Sequence, residues 1–231
     1  MKSVSDEDIR RLLPAIDYSE ALTITASERE VQSACKTGTQ YGFRAVVAFP
    51  QYLGVIVDEL KGSAVRAQLP VGFPCGSVTS RVKCLQAEEG LKRGANDMDM
   101  VMNISAFKSG NYKRVSEDIA QVVALAKPVS CPLKVIIETG VLSDEEKVTA
   151  AKVVRDCGAD FVKTCTGFAP GRATLHDICL IKATVGDSIG IKASGGVASV
   201  EDALALMGAG ASVVAMRRCV VDNLNQIGWR A

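Results

Sequence analysis

The feature that most narrows the fold is an alternation that runs through the whole chain: a short apolar run, a turn, then a stretch with helical spacing of apolar residues, eight times over. The apolar runs fall at residues 15–18, 43–49, 64–73, 98–104, 133–137, 159–164, 189–193 and 211–216. The helical stretches fall at 28–41, 52–61, 80–93, 112–126, 144–156, 175–185, 199–207 and 219–227. Most of the runs are continuously apolar, as strands buried on both faces must be, and a helix after each strand makes the pairing parallel. Eight such units in 231 residues predict an α/β fold, a closed TIM (β/α)8 barrel, with a doubly wound open sheet as the alternative. One domain is expected over residues 1–231, with residues 1–14 forming a short helix ahead of the barrel: Ile9, Leu12 and Leu13 share a face and Pro14 ends it.

In such a barrel the chemistry sits at the C-terminal ends of the strands and in the loops that follow. Two of those ends carry a lysine. Ala159-Asp-Phe-Val-Lys-Thr-Cys-Thr-Gly-Phe168 runs an apolar strand out onto Lys163, and Ile189-Gly-Ile-Lys-Ala-Ser-Gly-Gly196 does the same at Lys192. An ammonium group at a buried strand end costs several kcal/mol unless it is paired or neutralised. A desolvated lysine beside a second cation loses its proton more easily, and the neutral amine is a nucleophile that forms Schiff bases with carbonyls. A strand-end lysine can also snorkel to solvent, so it is the pair that points to a site. The Gly195-Gly196 turn ahead of the next helix offers backbone N–H groups to an anion, although such turns often need glycine only for its backbone freedom.

Other polar residues in or just after the runs extend the candidate list. Asp97 and Asp99 lie two apart, hence on one face of a strand; Asp99 suits general acid/base work and Asp97 a structural place in the preceding loop. Lys134 and Glu138 also share a face, so both charges are expected inside, as a network or as a plain salt bridge. Asp17, Thr166 and Arg217 complete the set, with Arg217 and Arg218 following the last strand, where barrels often bind phosphate. His176, the single histidine, falls in a helix and fits an exposed or capping role.

Composition excludes several classes. Basic and acidic residues number 27 and 26 and are spread along the chain, which argues against nucleic-acid binding. No apolar run has the length of a membrane span, and a cytosolic setting is expected. The eight cysteines show no CxxC spacing, and with one histidine no metal and no cofactor is expected.

Taken together, Val162-Lys-Thr-Cys-Thr-Gly-Phe168, Ile191-Lys-Ala-Ser-Gly-Gly196, Leu133-Lys-Val-Ile-Ile-Glu-Thr139, Asp99-Met-Val-Met-Asn-Ile104, Lys108-Ser-Gly-Asn-Tyr112 and Val71-Gly-Phe-Pro74 resemble the deoxyribose-phosphate aldolase family, in order from about Ile16 to Gly210. The resemblance implies a metal-free class I aldolase on a TIM barrel that reversibly cleaves 2-deoxy-D-ribose 5-phosphate to D-glyceraldehyde 3-phosphate and acetaldehyde. It implies Lys163 as Schiff-base nucleophile, Lys192 as the lysine that perturbs it and relays protons, and Asp99 as acid/base, with Lys134, Asp17 and Thr166 in support. Substrate or phosphate contacts are expected at Gly167, Gly195, Gly196 and Arg217. The expected partner is the small-molecule aldehyde or sugar phosphate, and a homodimer is in keeping with the family.

The chain departs from the family pattern at both ends. The usual Asp-His-Thr reads Asp17-Tyr-Ser, the leucine and lysine that follow it are absent from Glu20-Ala-Leu-Thr-Ile-Thr25, and Cys-Val-Asn-Pro reads Val47-Ala-Phe-Pro50. The small Gly-Thr-Ser-Ser-Gly phosphate loop reads Ala215-Met-Arg-Arg-Cys219, and the chain ends on Trp229-Arg-Ala231. Two arginines there offer charge where glycine and hydroxyls would offer close backbone approach. The alternatives are a lysine-dependent aldolase for a non-phosphorylated or carboxylate-bearing acceptor, and a non-catalytic paralogue that binds a sugar phosphate.

Overall fold

The computed structural model describes residues 4–20 and 22–229; Arg230 and Ala231 of the C-terminal stretch, Ala21 and the first three residues lie outside them. The chain begins with α1 (Asp6–Leu12) and then alternates: β1 (Ile16–Tyr18), α2 (Glu28–Tyr41), β2 (Ala45–Val47), α3 (Leu53–Glu59), β3 (Arg66–Val71), α4 (Ser80–Lys92), β4 (Asp97–Val101). It continues through α5 (Ile104–Lys108), α6 (Tyr112–Ala126), β5 (Leu133–Ile136), α7 (Asp144–Asp156), β6 (Phe161–Lys163), α8 (Leu175–Val185), β7 (Gly190–Ala193), α9 (Val200–Gly208), β8 (Val213–Met216) and α10 (Cys219–Gln226). Every strand pairs in parallel with its neighbour in sequence, and β8 returns to β1 with Ile16 opposite Val214, so the sheet closes. This is the TIM barrel, and the open-sheet alternative falls away.

The helices form where the sequence supplies both ends and a face. Ser5, Ser27 and Ser143 each close a capping box, with Asp8, Glu30 and Glu146 reaching back to the cap; such caps are worth about 1 kcal/mol each. On α2 the buried residues Val31, Ala34, Cys35 and Gly38 repeat at helical spacing and pack onto the barrel. Between α4 and α6 lies a fully buried ion pair: the Lys83 ammonium meets Asp118 and donates to the Val101 carbonyl at 2.8 Å. A pair so placed tolerates loss of one partner poorly, because the other is left charged and dry.

Several strands are shorter than their apolar runs. The β2 ladder covers only 45–47 of 43–49: Phe43 is still bonded to the end of α2 through Gly38, and after Val47 the chain turns into the rim loop at Phe49-Pro50. Asp97 is the first residue of β4, not a loop residue, since its backbone takes part in the β3 register opposite Gln68. The five-residue α5 was not apparent from periodicity; the Asn103 side chain starts it by accepting from the Ala106 N–H at 3.0 Å.

Candidate active site

Inside the barrel the polar side chains of the strands meet. Lys163, the last residue of β6, and Lys192 of β7 are register partners. Lys163 is 3% exposed, and its Nζ donates to Asp99 Oδ2 of β4 at 2.7 Å. Lys192 Nζ donates to that same oxygen at 2.7 Å, to Asp17 Oδ2 of β1 at 2.5 Å and to Gln68 Oε1 of β3 at 3.2 Å. Lys134 of β5 pairs with Asp97 and stands 3.5 Å from Asp99 Oδ1 and 3.7 Å from Asp17 Oδ2. At the far end, Arg44, just before β2, donates Nη1 to Asp17 Oδ1 and Nη2 to Asp97 Oδ2, both at 2.7 Å, while Gln68 Nε2 bridges the same two carboxylates at 2.8 and 2.7 Å.

The electrostatics of this cluster are uneven. Burial pushes the Lys163 amine down to about 8; Asp99 opposes that, and Lys192 adds to it. Burial alone would lower Lys192 as well, but Asp17 and Asp99 together outweigh it and raise this lysine. The expectation that each lysine weakens the other's charge therefore holds for Lys163 only, because Lys192 has two carboxylates of its own. Burial would raise Asp99 and Asp17, yet the surrounding cations hold both well below the usual carboxylate range. The arrangement thus sets a nucleophilic amine beside an ionised acceptor and a protonated donor. Asp99 Oδ1 is buried and receives no hydrogen bond from the described residues, so it can accept one from a bound hydroxyl or water. The carboxylates of Asp17, Asp97 and Asp99 approach within 4.8 Å of one another, as in a metal site, but lysine and arginine already fill the cation positions among them.

Above the cluster lies a cavity of about 410 Å³ whose lining includes both lysines, Thr166, Gly167, Gly195, Gly196 and Arg217. Gly195 (φ 100°) and Gly196 (φ 67°) take backbone conformations that side chains resist, and a Cβ on Gly195 would come within 2.9 Å of Cys165. Arg217 Nη2 donates to the Leu22 carbonyl at 3.1 Å, which holds the guanidinium at the rim. Phe49, Phe73 and Phe168 meet edge-on with centroids 5.1–6.1 Å apart. The loops after β2, β3 and β6 are thereby packed together at the C-terminal end of the barrel.

All ten sequence-derived site residues fall in this region: seven line the cavity, and Asp99, Asp17 and Lys134 lie in the charge cluster joined to it. Glu138 departs from its expected place. The strand ends at Ile136, Glu138 turns left-handed (φ 57°), and its carboxylate accepts from the Thr166 N–H and hydroxyl instead of entering the lysine cluster. It serves the loop that carries Thr166 and Gly167. Arg218 lies outside the cavity lining, its N–H donating to Glu20 and its side chain beside Asp222. His176 is exposed and bonded to Asp144 at 2.6 Å, as expected of it. Arg44 and Gln68 went unread. Each is a polar residue within an apolar run, the same signal that marked Asp99.

A closed parallel barrel with a buried, depressed lysine at a strand end, an acid against it and an anion-ready rim is the build of a Schiff-base aldolase. Similarity to known proteins narrows the class. The family model of DeoC/LacD family aldolases matches residues 12–218, and the chain belongs to this family. It is 41% identical to a deoxyribose-phosphate aldolase of Caldanaerobacter subterraneus subsp. tengcongensis, over 90% of both chains. It is 44% identical to one of Streptococcus sanguinis, over 81% of this chain and 84% of that protein. Among solved structures, a tetrameric deoxyribose phosphate aldolase from Aeropyrum pernix superposes with a TM-score of 0.84 at 28% identity, covering 97% of this chain and 99% of that one.

Proposed function

We propose that the protein is a class I aldolase that reversibly cleaves 2-deoxy-D-ribose 5-phosphate to D-glyceraldehyde 3-phosphate and acetaldehyde, with Lys163 as nucleophile. The observation that carries this reading is Lys163 Nζ itself: buried, open to the cavity, and held by Asp99, a carboxylate it shares with Lys192. The neutral amine adds to the C1 aldehyde of the open-chain sugar, and loss of water leaves a protonated imine. A base then removes the proton of the C3 hydroxyl and the C2–C3 bond breaks; its electron pair enters the iminium as an enamine, and glyceraldehyde 3-phosphate departs. Protonation of the enamine at C2 and addition of water release acetaldehyde and restore the amine.

Asp99 and Lys192 supply the acceptor and donor for these proton movements. Asp17 and Lys134 support them by keeping that pair ionised and in place, and Thr166 orders the loop of Gly167. The phosphate is received at the rim by the amides of Gly167, Gly195 and Gly196 and by the guanidinium of Arg217. No cofactor enters this scheme, and one barrel is the whole catalytic unit. A homodimer and a cytosolic setting go with the same reading; light scattering checks the first and cell fractionation the second. Among the described residues no helix is long and apolar enough to cross a membrane.

The reading is tested by incubating the purified protein with 2-deoxyribose 5-phosphate and following glyceraldehyde 3-phosphate. Release by the parent protein and none by folded Lys163→Met is the expected outcome; release by both would remove Lys163 from the role.

A further inference from the structure

The barrel interior has an unequal charge count. Among the described residues, three carboxylates, Asp17, Asp97 and Asp99, face four cations, Arg44, Lys134, Lys163 and Lys192. Each carboxylate holds at least two of them. Gln68 of β3 contributes only an amide, and β8 contributes no charged side chain to the cluster. Arg66 reaches 4.0 Å from Asp97 but is 41% exposed, so water answers most of its charge, and what remains adds to the same excess. Above, Glu138 is bonded to Thr166, and Arg217 stands at the rim.

One cation more than the carboxylates can satisfy means that one ammonium must be the easiest to deprotonate. Arg44 cannot be that one, since guanidinium keeps its proton in proteins. Asp17 and Asp97 hold it further: it forks across both at 2.7 Å and stacks near the Phe161 ring, 5.7 Å from its centroid. Lys134 is committed to Asp97 and also near Asp99 and Asp17, while Lys192 sits between Asp17 and Asp99. Lys163 alone has a single carboxylate, and it shares the oxygen it uses.

We infer that Arg44 is a positioning residue of the aldol reaction: by clamping Asp17 and Asp97 at the N-terminal end of the barrel it uses up negative charge and leaves Lys163 as the amine that goes without a proton. It acts at a distance, through Arg44, Asp17, Lys192, Asp99 and Lys163 in sequence, each bonded to the next. The inference rests on the proposed Schiff-base role of Lys163. It gives an arginine at the N-terminal end of the barrel, outside the cavity lining, a function in the chemistry rather than in the fold alone.

Charge balance gives opposite signs for opposite substitutions. Arg44→Met removes a cation, so Lys163 keeps its proton to higher pH. Asp97→Asn removes an anion, so Lys163 loses its proton at lower pH. Each shift is expected to be about one pH unit, the scale of one charge acting across a partly screened interior. Arg44→Lys, which restores the charge without the fork, is expected to bring the profile back toward that of the parent protein.

The experiment measures the pH dependence of imine trapping by borohydride with acetaldehyde, together with kcat/KM for cleavage, on the parent protein and the three variants. Circular dichroism confirms the fold of each. The inference expects the acid limb of Arg44→Met to move up, that of Asp97→Asn to move down, and that of Arg44→Lys to recover. A limb that stays in place in Arg44→Met, however much the rate falls, reduces Arg44 to a structural residue and overturns the inference. Should Arg44→Met not fold, Asp97→Asn decides alone: a downward move supports the charge balance and an unmoved limb overturns it. Absence of any adduct on the parent protein would instead overturn the Schiff-base reading, a result distinct from an adduct whose pH profile ignores Arg44.

Discussion

Lys163 and Lys192 face each other across the β6–β7 ladder, and their ammonium nitrogens lie 2.7 Å from the same oxygen of Asp99. The single negative charge of one carboxylate cannot neutralise two ammonium ions. Lys192 has Asp17 as a second anion at 2.5 Å, so Lys163 is the one left under-compensated. The division of labour between two chemically identical side chains follows from that difference in neighbours.

The first prediction is a pH profile. With the Lys163 amine pushed down to about 8, the reactive neutral form falls roughly tenfold for each pH unit below that value, and kcat/KM should fall with it. Steady-state assays between pH 6 and about 9.5 check this; a flat profile across the whole range would mean that a different group, or the amine in another state, limits the reaction.

Replacing Asp99 separates its two effects. Asp99→Asn removes the proton acceptor, with an expected loss in kcat of about 10²–10⁴-fold. It also removes the anion that opposes deprotonation of Lys163, so the remaining activity should show its acid limb at lower pH than the parent protein. A limb displaced upward would show that Asp99 does not stabilise the ammonium form.

Arg217 is bonded to one backbone carbonyl at the rim and lines the cavity. Arg217→Ala should raise KM for 2-deoxyribose 5-phosphate by about 10–100-fold, the scale of a lost charge-assisted hydrogen bond, and leave unphosphorylated 2-deoxyribose nearly unaffected. An equal effect on both substrates would place the guanidinium in the loop's structure and not against the phosphate.

The Lys83–Asp118 pair should behave as a fold element only. Lys83→Met strands a buried carboxylate and should cost about 3–5 kcal/mol, read as a lower urea midpoint, with activity per folded molecule unchanged. The double variant Lys83→Met, Asp118→Leu should recover much of that loss.

What the sequence disclosed and what it hid follow from the same physics. Lys163, Lys192 and Asp99 stood out because a charge in an otherwise apolar strand has a cost that asks for a reason. Eight repeats of strand and helix pointed to a barrel but left an open sheet possible; the pairing of β8 with β1 closes it. Arg44 stayed hidden because an arginine early in an apolar run is equally well explained by a snorkelling side chain, and its partners Asp17 and Asp97 lie 27 and 53 positions away. Glu138 was misplaced because period-two reasoning assumes that a strand continues, whereas β5 stops at Ile136 and the backbone turns left-handed two residues later. The five residues of α5 are too few to show a helical period, and the Asn103 cap that starts them becomes visible only with the bond it makes.

The central claim, that Lys163 carries the substrate as an imine, is tested most directly by borohydride reduction in the presence of 2-deoxyribose 5-phosphate or acetaldehyde, followed by intact mass and peptide mapping. One stable adduct per chain is expected, on Lys163, with both compounds, and none on Lys163→Met. An adduct on Lys134 or Lys192 in the parent protein, or no adduct from either compound, would contradict it.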